Sequence, residues 1–410
     1  MADPSRCLPL TRASVQEAHK QIKPFVHLTP VTTCTALSHL ASTPQSPAVL
    51  VDTPYEGQRP ARPKVNLFFK CENYQKIGAF KARGANHALS RLTHEELKRG
   101  VITHSSGNHA QALALAASIR NVKAHIIMPT ISTPSKIAAT QGYGANVVFS
   151  GSTSEEREKV VAEVQEQTGA ILVPPYDHPD IILGQGTMGL EFEAQVEEMT
   201  KAMQKDLGNT ALNGTIYSAA GKKNNGLDAV ITPCGGGGML SGVATALHGT
   251  GIYVFGAEPN DNGTDDCVRG LRAGERVTSV KTLTIADGLR TPVGVIPWTV
   301  ISDPSKVRAV YGVSEEQIKS AMKLVMERMK VFIEPSAAVG LATVLYNEDF
   351  RHLVEKEAGE KGWNVGIVLS GGNTTLEAIS KLFEVNEQTG QREEGVLGAK
   401  GEQVAENVAG

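Results

Sequence analysis

The chain carries almost no net charge. Forty Lys and Arg stand against 43 Asp and Glu, a balance of -3 with pI near 6.4. Without a basic surplus to neutralise phosphates, nucleic acid is not an expected partner. No apolar run reaches the roughly 18 residues a membrane helix needs, so no membrane span is expected. The N-terminal MADPSRCLPLTRAS lacks a basic start followed by an apolar stretch, and no secretory signal is read there. Cysteine is scarce: Cys7, Cys34, Cys71, Cys234 and Cys267 are odd in number, and no two have metal-site or redox-motif spacing. They read as reduced thiols of a cytoplasmic protein. Aromatics make up 5%. The glycine run at 235–238 spells neither a G-x-G-x-x-G fingerprint nor a P-loop.

Glycine is what the chain has in quantity, 41 of 410 residues. The length suggests two or three domains as a prior. Short β-branched runs alternate with amphipathic, Ala-rich stretches. Strands are expected at 65–72, 101–105, 125–129, 146–151, 171–176, 228–234, 253–259 and 365–371. Helices are expected at 81–98, 108–120, 134–143, 154–168, 314–330 and 336–346. Nearly continuous apolar strands separated by helices predict α/β architecture with parallel sheets covered on both faces. Residues 41–64 hold five prolines, and 204–226 are rich in Gly, Asn and Lys; both read as loop insertions. The polar tail from about 386 reads as disordered.

Four strand-to-helix junctions could carry chemistry. Gly235, Gly236, Gly237 and Gly238 follow a strand and lead into a helix at Met239, which exposes consecutive N–H groups to an anion. A tight turn or linker is the plainer reading of four glycines. Lys81 sits among small and apolar residues in GAFKARGA (78–85), where a desolvated amine becomes a nucleophile or base. A surface lysine is its plainer reading. Ser105, Ser106, Asn108 and His109 lie in SSGNHA, and Ser370 in SGGN; caps and turns would explain both. Together these put a lysine, a phosphate cradle and several hydroxyls at the C-terminal ends of parallel strands, where open α/β sheets bind ligands. A singly phosphorylated cofactor attacked by a lysine is pyridoxal 5'-phosphate.

KCENYQKIGAFKARGA, THSSGNHAQALALAA, QGYGANVV, GQGTMGLE, PCGGGGMLSG, IADGL, ERMKVFIEPSAAVG and VLSGGN occur in the order found in the fold-type II pyridoxal-phosphate enzymes. The chain resembles their serine racemase and serine/threonine dehydratase branch over about residues 24–384. The resemblance implies two open, mostly parallel sheet domains. The large one, 1–93 and 178–410, holds the cofactor; the small one, 101–177, closes over the substrate. It implies that Lys81 bonds the cofactor covalently, that Phe80 flanks the ring, and that Asn108 and Ser370 bond its hydroxyl and nitrogen. Gly235 to Met239 would cradle the phosphate, and Glu334 is a carboxylate near the cofactor. Ser105, Ser106, Asn108 and His109 would surround the substrate carboxylate, with Arg157 reaching in from the small domain. Lys81 would remove the Cα proton, and Ser106 would act from the opposite face.

Glu258, a carbonyl near Thr264, and Asp266 match a Mg²⁺ or Ca²⁺ site of the family, with two extra residues between the acids. Lys76, Gln111, Tyr143, Lys330 and Asn373 match an ATP effector site, where Ile77 replaces a hydroxyl. A homodimer acting on a small amino acid is implied. The residues after SGGN are too few and too polar for a regulatory domain, so isoleucine feedback is not expected. A threo-3-hydroxyaspartate ammonia-lyase is the neighbouring alternative. A nucleotide-binding oxidoreductase would explain the α/β pattern and the glycines, but not Lys81 or SGGN.

Overall fold

The computed structural model describes residues 4–207, 226–280 and 283–384. The tail expected to be disordered, and most of the insertion at 204–226, lie outside them. Ten strands form two sheets among the described residues. β1 (Val31–Thr33), β2 (Val65–Cys71), β7 (Ala229–Pro233), β8 (Tyr253–Pro259), β9 (Ala309–Val313) and β10 (Trp363–Leu369) make one sheet. Its order is β1-β2-β10-β7-β8-β9, parallel except for the β1 edge. β3 (Val101–His104), β4 (Ala124–Pro129), β5 (Asn146–Ser150) and β6 (Ile171–Leu172) form a second sheet in the order β5-β4-β3-β6, parallel throughout.

Side chains of a strand alternate between faces, and this splits each strand between two cores. In β2, Leu67 and Phe69 join the core under the helix Val339–Tyr346, while Phe68 joins the core under the helix Gly238–Leu247. Ile367 and Val368 of β10 divide the same way. In the smaller sheet, Val101 and Ile126 face one core, and Ile102 and Ile127 face another under the helix Ser154–Thr168. Burial on both faces is what makes these strands continuously apolar.

Three expected elements differ. The strand at 171–176 ends at Leu172, because Pro174 and Pro175 offer no N–H to a ladder. The helix at 81–98 is two helices, Lys81–Arg91 and His94–Arg99. Thr93 starts the second by exchanging capping bonds with Glu96, at 2.7 and 3.2 Å. The helix at 314–330 is regular over Glu315–Leu324, then widens into a π turn, Val325–Met329, and stops at Lys330 with φ 61°.

Candidate active site

The C-terminal ends of β2, β10 and β7, three neighbours in the larger sheet, each open into one of the expected site loops. After β2 the chain passes through Ile77 and Gly78 into the helix that begins at Lys81. After β10 it passes through Ser370 to Gly372. The two loops are stitched together: Phe80 N–H donates to Ser370 O at 3.0 Å, and Gly372 N–H donates to Gly78 O at 2.9 Å. Ile77 is β-branched yet has φ 61°, a conformation that costs about 1–3 kcal/mol. Asn373 holds it there, its Nδ2 donating to Ile77 O at 2.7 Å.

Lys81 reaches from the larger sheet toward the segment that follows β6 of the smaller one, and its Nζ donates to Pro175 O at 2.7 Å. The Phe80 ring centroid lies 5.2 Å from that nitrogen. Burial lowers the Lys81 pKa to about 8, against the opposing pull of Glu334. Glu334 is itself buried, which raises its pKa to about 7, with the charge of Asp287 adding to the effect. Its Oε1 accepts from Asn108 Nδ2 at 2.9 Å and its Oε2 from Asn373 N–H at 3.2 Å. Asn373 Nδ2 also donates to Asn108 Oδ1 at 2.7 Å. An Asn–Glu–Asn network therefore joins the helix Asn108–Ile119 behind β3 to the loop behind β10.

The turn after β3 carries Ser105, Ser106 and Gly107 ahead of that helix. Ser105 Oγ accepts from Gly107 N–H at 3.3 Å. His109 is buried, and its Nε2 lies 3.0 Å from Val173 O. Burial first, and the Lys81 charge second, push its pKa down to about 3, so the imidazole is neutral at physiological pH and donates from Nε2. It brings no positive charge toward a carboxylate. Arg157 stands in the first turn of the helix Ser154–Thr168. Its charge adds to burial in lowering the pKa of His104, the last residue of β3. A cavity of about 470 Å³ has Gln111, Lys136, Asp287, Glu334 and Asn373 among its lining residues. Lys330 Nζ donates to Glu327 O, within its own turn.

Behind β7, the glycine run packs against a residue the sequence reading passed over. A Cβ on Gly236 would fall 2.4 Å from the Tyr176 ring, so only glycine lets the backbone lie flat on this aromatic face. Tyr176 belongs to the same segment as Pro175, and Asp177 next to it caps the helix Val295–Ile301 through Val295 and Ile296 N–H at 2.9 and 2.8 Å. Its only signal in sequence was its place just after the double proline.

Of the expected cation ligands, Glu258 is the penultimate residue of β8, opposite Gly312 of β9, and is buried. Its oxygens accept Val268 N–H at 2.7 Å and Cys267 N–H at 3.3 Å. Burial, reinforced by Cys267 and Asp266, pushes its pKa well above the carboxylate range. Asp266 rises to about 6 through burial, and accepts Val293 N–H at 3.2 Å. Thr264 Oγ1 donates to Asp261 O at 2.7 Å.

These residues fit pyridoxal phosphate on two structural observations. A side-chain-free run of backbone at a helix start offers N–H groups to a phosphate. A lysine of lowered proton affinity stands two strands away in the same sheet, amine-ready for a carbonyl.

Known proteins resemble this chain along most of its length. A family model described as "Pyridoxal-phosphate dependent enzyme" matches residues 49–371. The serine racemase of Dictyostelium discoideum is 40% identical over 378 residues, covering 91% of this chain and 98% of the relative. The structure of maize serine racemase superposes with a TM-score of 0.72 at 35% identity, covering 90% of this chain and 96% of that one. The threonine deaminase of Solanum lycopersicum, isoform 2 in its processed form, superposes with a TM-score of 0.68 at 27% identity, covering 92% and 88%. The alternative of a nucleotide-binding oxidoreductase falls away, and the chain belongs to the pyridoxal-phosphate dependent enzymes.

Proposed function

We propose that the chain racemises and dehydrates a small hydroxy amino acid, serine first and threonine second. One observation carries this reading. The Lys81 amine, lowered to about 8, bridges from the larger sheet to the segment behind β6, and the Ser105–Ser106 hydroxyls end the neighbouring strand β3. When bound, pyridoxal phosphate supplies the electron withdrawal that makes a Cα–H bond acidic. Gly235 to Met239 would hold its phosphate, Phe80 and Asn108 its ring and hydroxyl, and Ser370 its nitrogen. Lys81, neutral above about pH 8, takes the Cα proton from one face. Ser106 returns a proton to the other face and inverts the centre. If the β-hydroxyl departs first, no proton returns to Cα, and a keto acid and ammonia result. Ser370 is a neutral hydroxyl and, unlike a carboxylate, would not hold a proton on the ring nitrogen, which weakens the electron withdrawal and favours elimination. Ser105, Asn108, His109 and Arg157 are the proposed substrate contacts.

The proposal is tested with L-Ser, D-Ser, L-Thr and threo-3-hydroxyaspartate, scoring keto acid and D-amino acid. Activity confined to hydroxyaspartate would turn the reading toward the neighbouring ammonia-lyase. Ser106→Ala is expected to lower D-serine formation about 10²- to 10⁴-fold while sparing keto acid release from L-serine. Equal loss of both products would remove Ser106 from its role.

The unit 101–177 is proposed to close over the substrate against 1–93 and 178–410. Lys136 Nζ and Asp287 Oδ2, 2.7 Å apart, already span the two. Both side chains are partly exposed, so the pair is worth little when screened. Lys136→Ala is expected to raise KM about two- to fivefold, with the difference shrinking at high salt. A KM unchanged at low salt would show that the pair does not assist closure. A homodimer, a cytoplasmic location and an ATP site at Lys76, Gln111, Tyr143, Lys330 and Asn373 belong to the same proposal. Among the described residues, no helix is long and apolar enough to cross a membrane.

A further inference from the structure

We propose that Cys7, His178 and Asp180 form a binding site for a divalent cation of the Zn²⁺ type, apart from the cofactor loops and from the expected cation ligands around Glu258. His178 immediately precedes the long helix Pro179–Leu207, and Asp180 is the second residue of that helix. Cys7 comes to them from the start of the chain, and Arg91 sets its docking. Arg91 Nη2 donates to Arg6 O at 3.0 Å, and its Nε lies 3.5 Å from Asp180 Oδ1. The other carboxylate oxygen, Oδ2, accepts from Cys7 Sγ at 3.4 Å, and His178 Nε2 stands 3.9 Å from the same sulfur. One ligand atom from each residue lies within 4.8 Å of the other two. In a tetrahedral zinc centre, with bonds of about 2.0–2.3 Å, ligand atoms stand roughly 3.3–3.8 Å apart. The two sulfur distances are already close to those an ion would set. His178 and Asp180 are buried and Cys7 is half-buried, so the sulfur side admits an ion and leaves a fourth position for water.

One sulfur, one imidazole nitrogen and one carboxylate oxygen are a zinc donor set, whereas Mg²⁺ and Ca²⁺ take six or more oxygens. Without an ion the thiol keeps its proton, because burial and the Asp180 charge push its pKa to about 12. An ion takes that proton's place between sulfur and carboxylate, and the proton goes to solvent; no oxidation is involved. The imidazole proton shifts as well. Asp180 N–H donates to His178 Nδ1 at 3.2 Å, which puts the ring proton on Nε2 in the free protein. Binding at Nε2 moves it to Nδ1, which lies 4.0 Å from Asp180 Oδ2, at the cost of that one long hydrogen bond. Cys7 and His178 stand 171 positions apart, outside any zinc-motif spacing, so only the fold brings them together. The ion pins the N-terminal segment to the start of the long helix, just beyond Pro175, whose carbonyl accepts from Lys81.

The test uses the full-length holoenzyme, treated with chelator and reloaded with Zn²⁺ in a large excess of Mg²⁺, which claims any all-oxygen site. One equivalent of zinc is expected to survive gel filtration. X-ray absorption at the zinc edge is expected to show a single sulfur scatterer at about 2.3 Å with lighter ones at about 2.0–2.2 Å. Cys7→Ala, at a half-buried position outside the catalytic machinery, is expected to keep the parent's turnover and cofactor absorption. It is expected to weaken zinc binding more than about 100-fold, beyond what loss of an outer partner of a metal ligand causes. No retained zinc, a shell with two sulfurs or none, or a Cys7→Ala variant that holds zinc as the parent does would each overturn the proposal. Should Cys7→Ala fail to fold, the sulfur count in the parent decides by itself.

Discussion

Lys81→Ala is expected to abolish turnover, with keto acid and D-amino acid formation from L-serine falling by about 10⁴-fold or more. The size of the effect follows from two tasks falling on one nitrogen. In the proposed mechanism it is both the amine that bonds the cofactor and the base that moves the Cα proton. Among the residues of the Ser105–His109 turn, none can replace it: His109 is neutral and turned onto Val173 O. The purified variant should also lack a visible absorption band that borohydride bleaches in the parent. Loading of the apoprotein with cofactor carries a pH signature. Burial lowers the Lys81 pKa to about 8, and only the neutral amine attacks. Loading should therefore speed up about tenfold per pH unit below 8 and level off above it. Circular dichroism matching the parent keeps the result from being a folding defect. A variant that still released keto acid at the parent's rate would sink the assignment of Lys81.

What could be read from sequence divides along a physical line. β2, β7, β8 and β10 were legible because burial on both faces writes itself as a continuous apolar run. The glycine run and GAFKARGA were legible because backbone approach and a lysine among small residues are local facts. Whatever depends on distant contacts was not. The helix Pro179–Leu207 was not among the expected elements, and Gly184, Gly186 and Gly189 interrupt its apolar pattern. Its Gly186 is demanded by tertiary packing, since a Cβ there would fall 2.5 Å from Gly242 O of the crossing helix. The thiols of Cys234 and Cys267 looked scattered because tertiary structure, not sequence spacing, brings them to Glu258: the register of β7 on β8 for the first, and the return of the chain into the helix Asp266–Ala273 for the second. The same holds for Tyr176, which matters through the glycine it covers.

Arg83 is the strongest case of a residue whose role only the fold discloses, and its replacement is the largest stability effect expected. It lies two residues beyond Lys81 in the same helix and is fully buried. Its guanidinium binds both oxygens of Glu72 at 2.8 Å. It also binds both oxygens of Glu191, at 2.8 and 2.7 Å. Lys70 Nζ adds a bond to Glu191 Oε2 at 2.9 Å, and Thr29 Oγ1 one to Glu72 Oε1 at 2.5 Å. Glu72 follows β2, and Glu191 lies in the helix Pro179–Leu207, so this one side chain ties the lysine-bearing helix to the sheet and to the long helix. Burial alone would raise the Glu191 carboxyl, but the charges of Arg83 and Lys70 outweigh it and hold the pKa well below the usual range.

Removing the guanidinium leaves two carboxylates in a site that excludes water, and Arg83→Met is expected to lower stability by about 3–5 kcal/mol. That is a large part of the roughly 5–15 kcal/mol a domain has. In the parent, a carboxyl depressed by its partners contributes stability that is present above its unfolded pKa of about 4.3 and is lost as pH falls toward the folded value. In Arg83→Met, Glu72 keeps only the Thr29 hydroxyl of the partners named above. A buried carboxylate stripped of its cation is relieved by taking up a proton, so the variant's deficit should shrink as pH falls from 8 to 5. Adding Glu72→Gln to Arg83→Met should recover part of the loss at pH 8, because the stranded charge is gone. Urea denaturation of the parent and both variants at pH 8 and 5 reads all of this. A deficit under about 1 kcal/mol, or one independent of pH, would mean that the clamp does not hold the Lys81 helix in place.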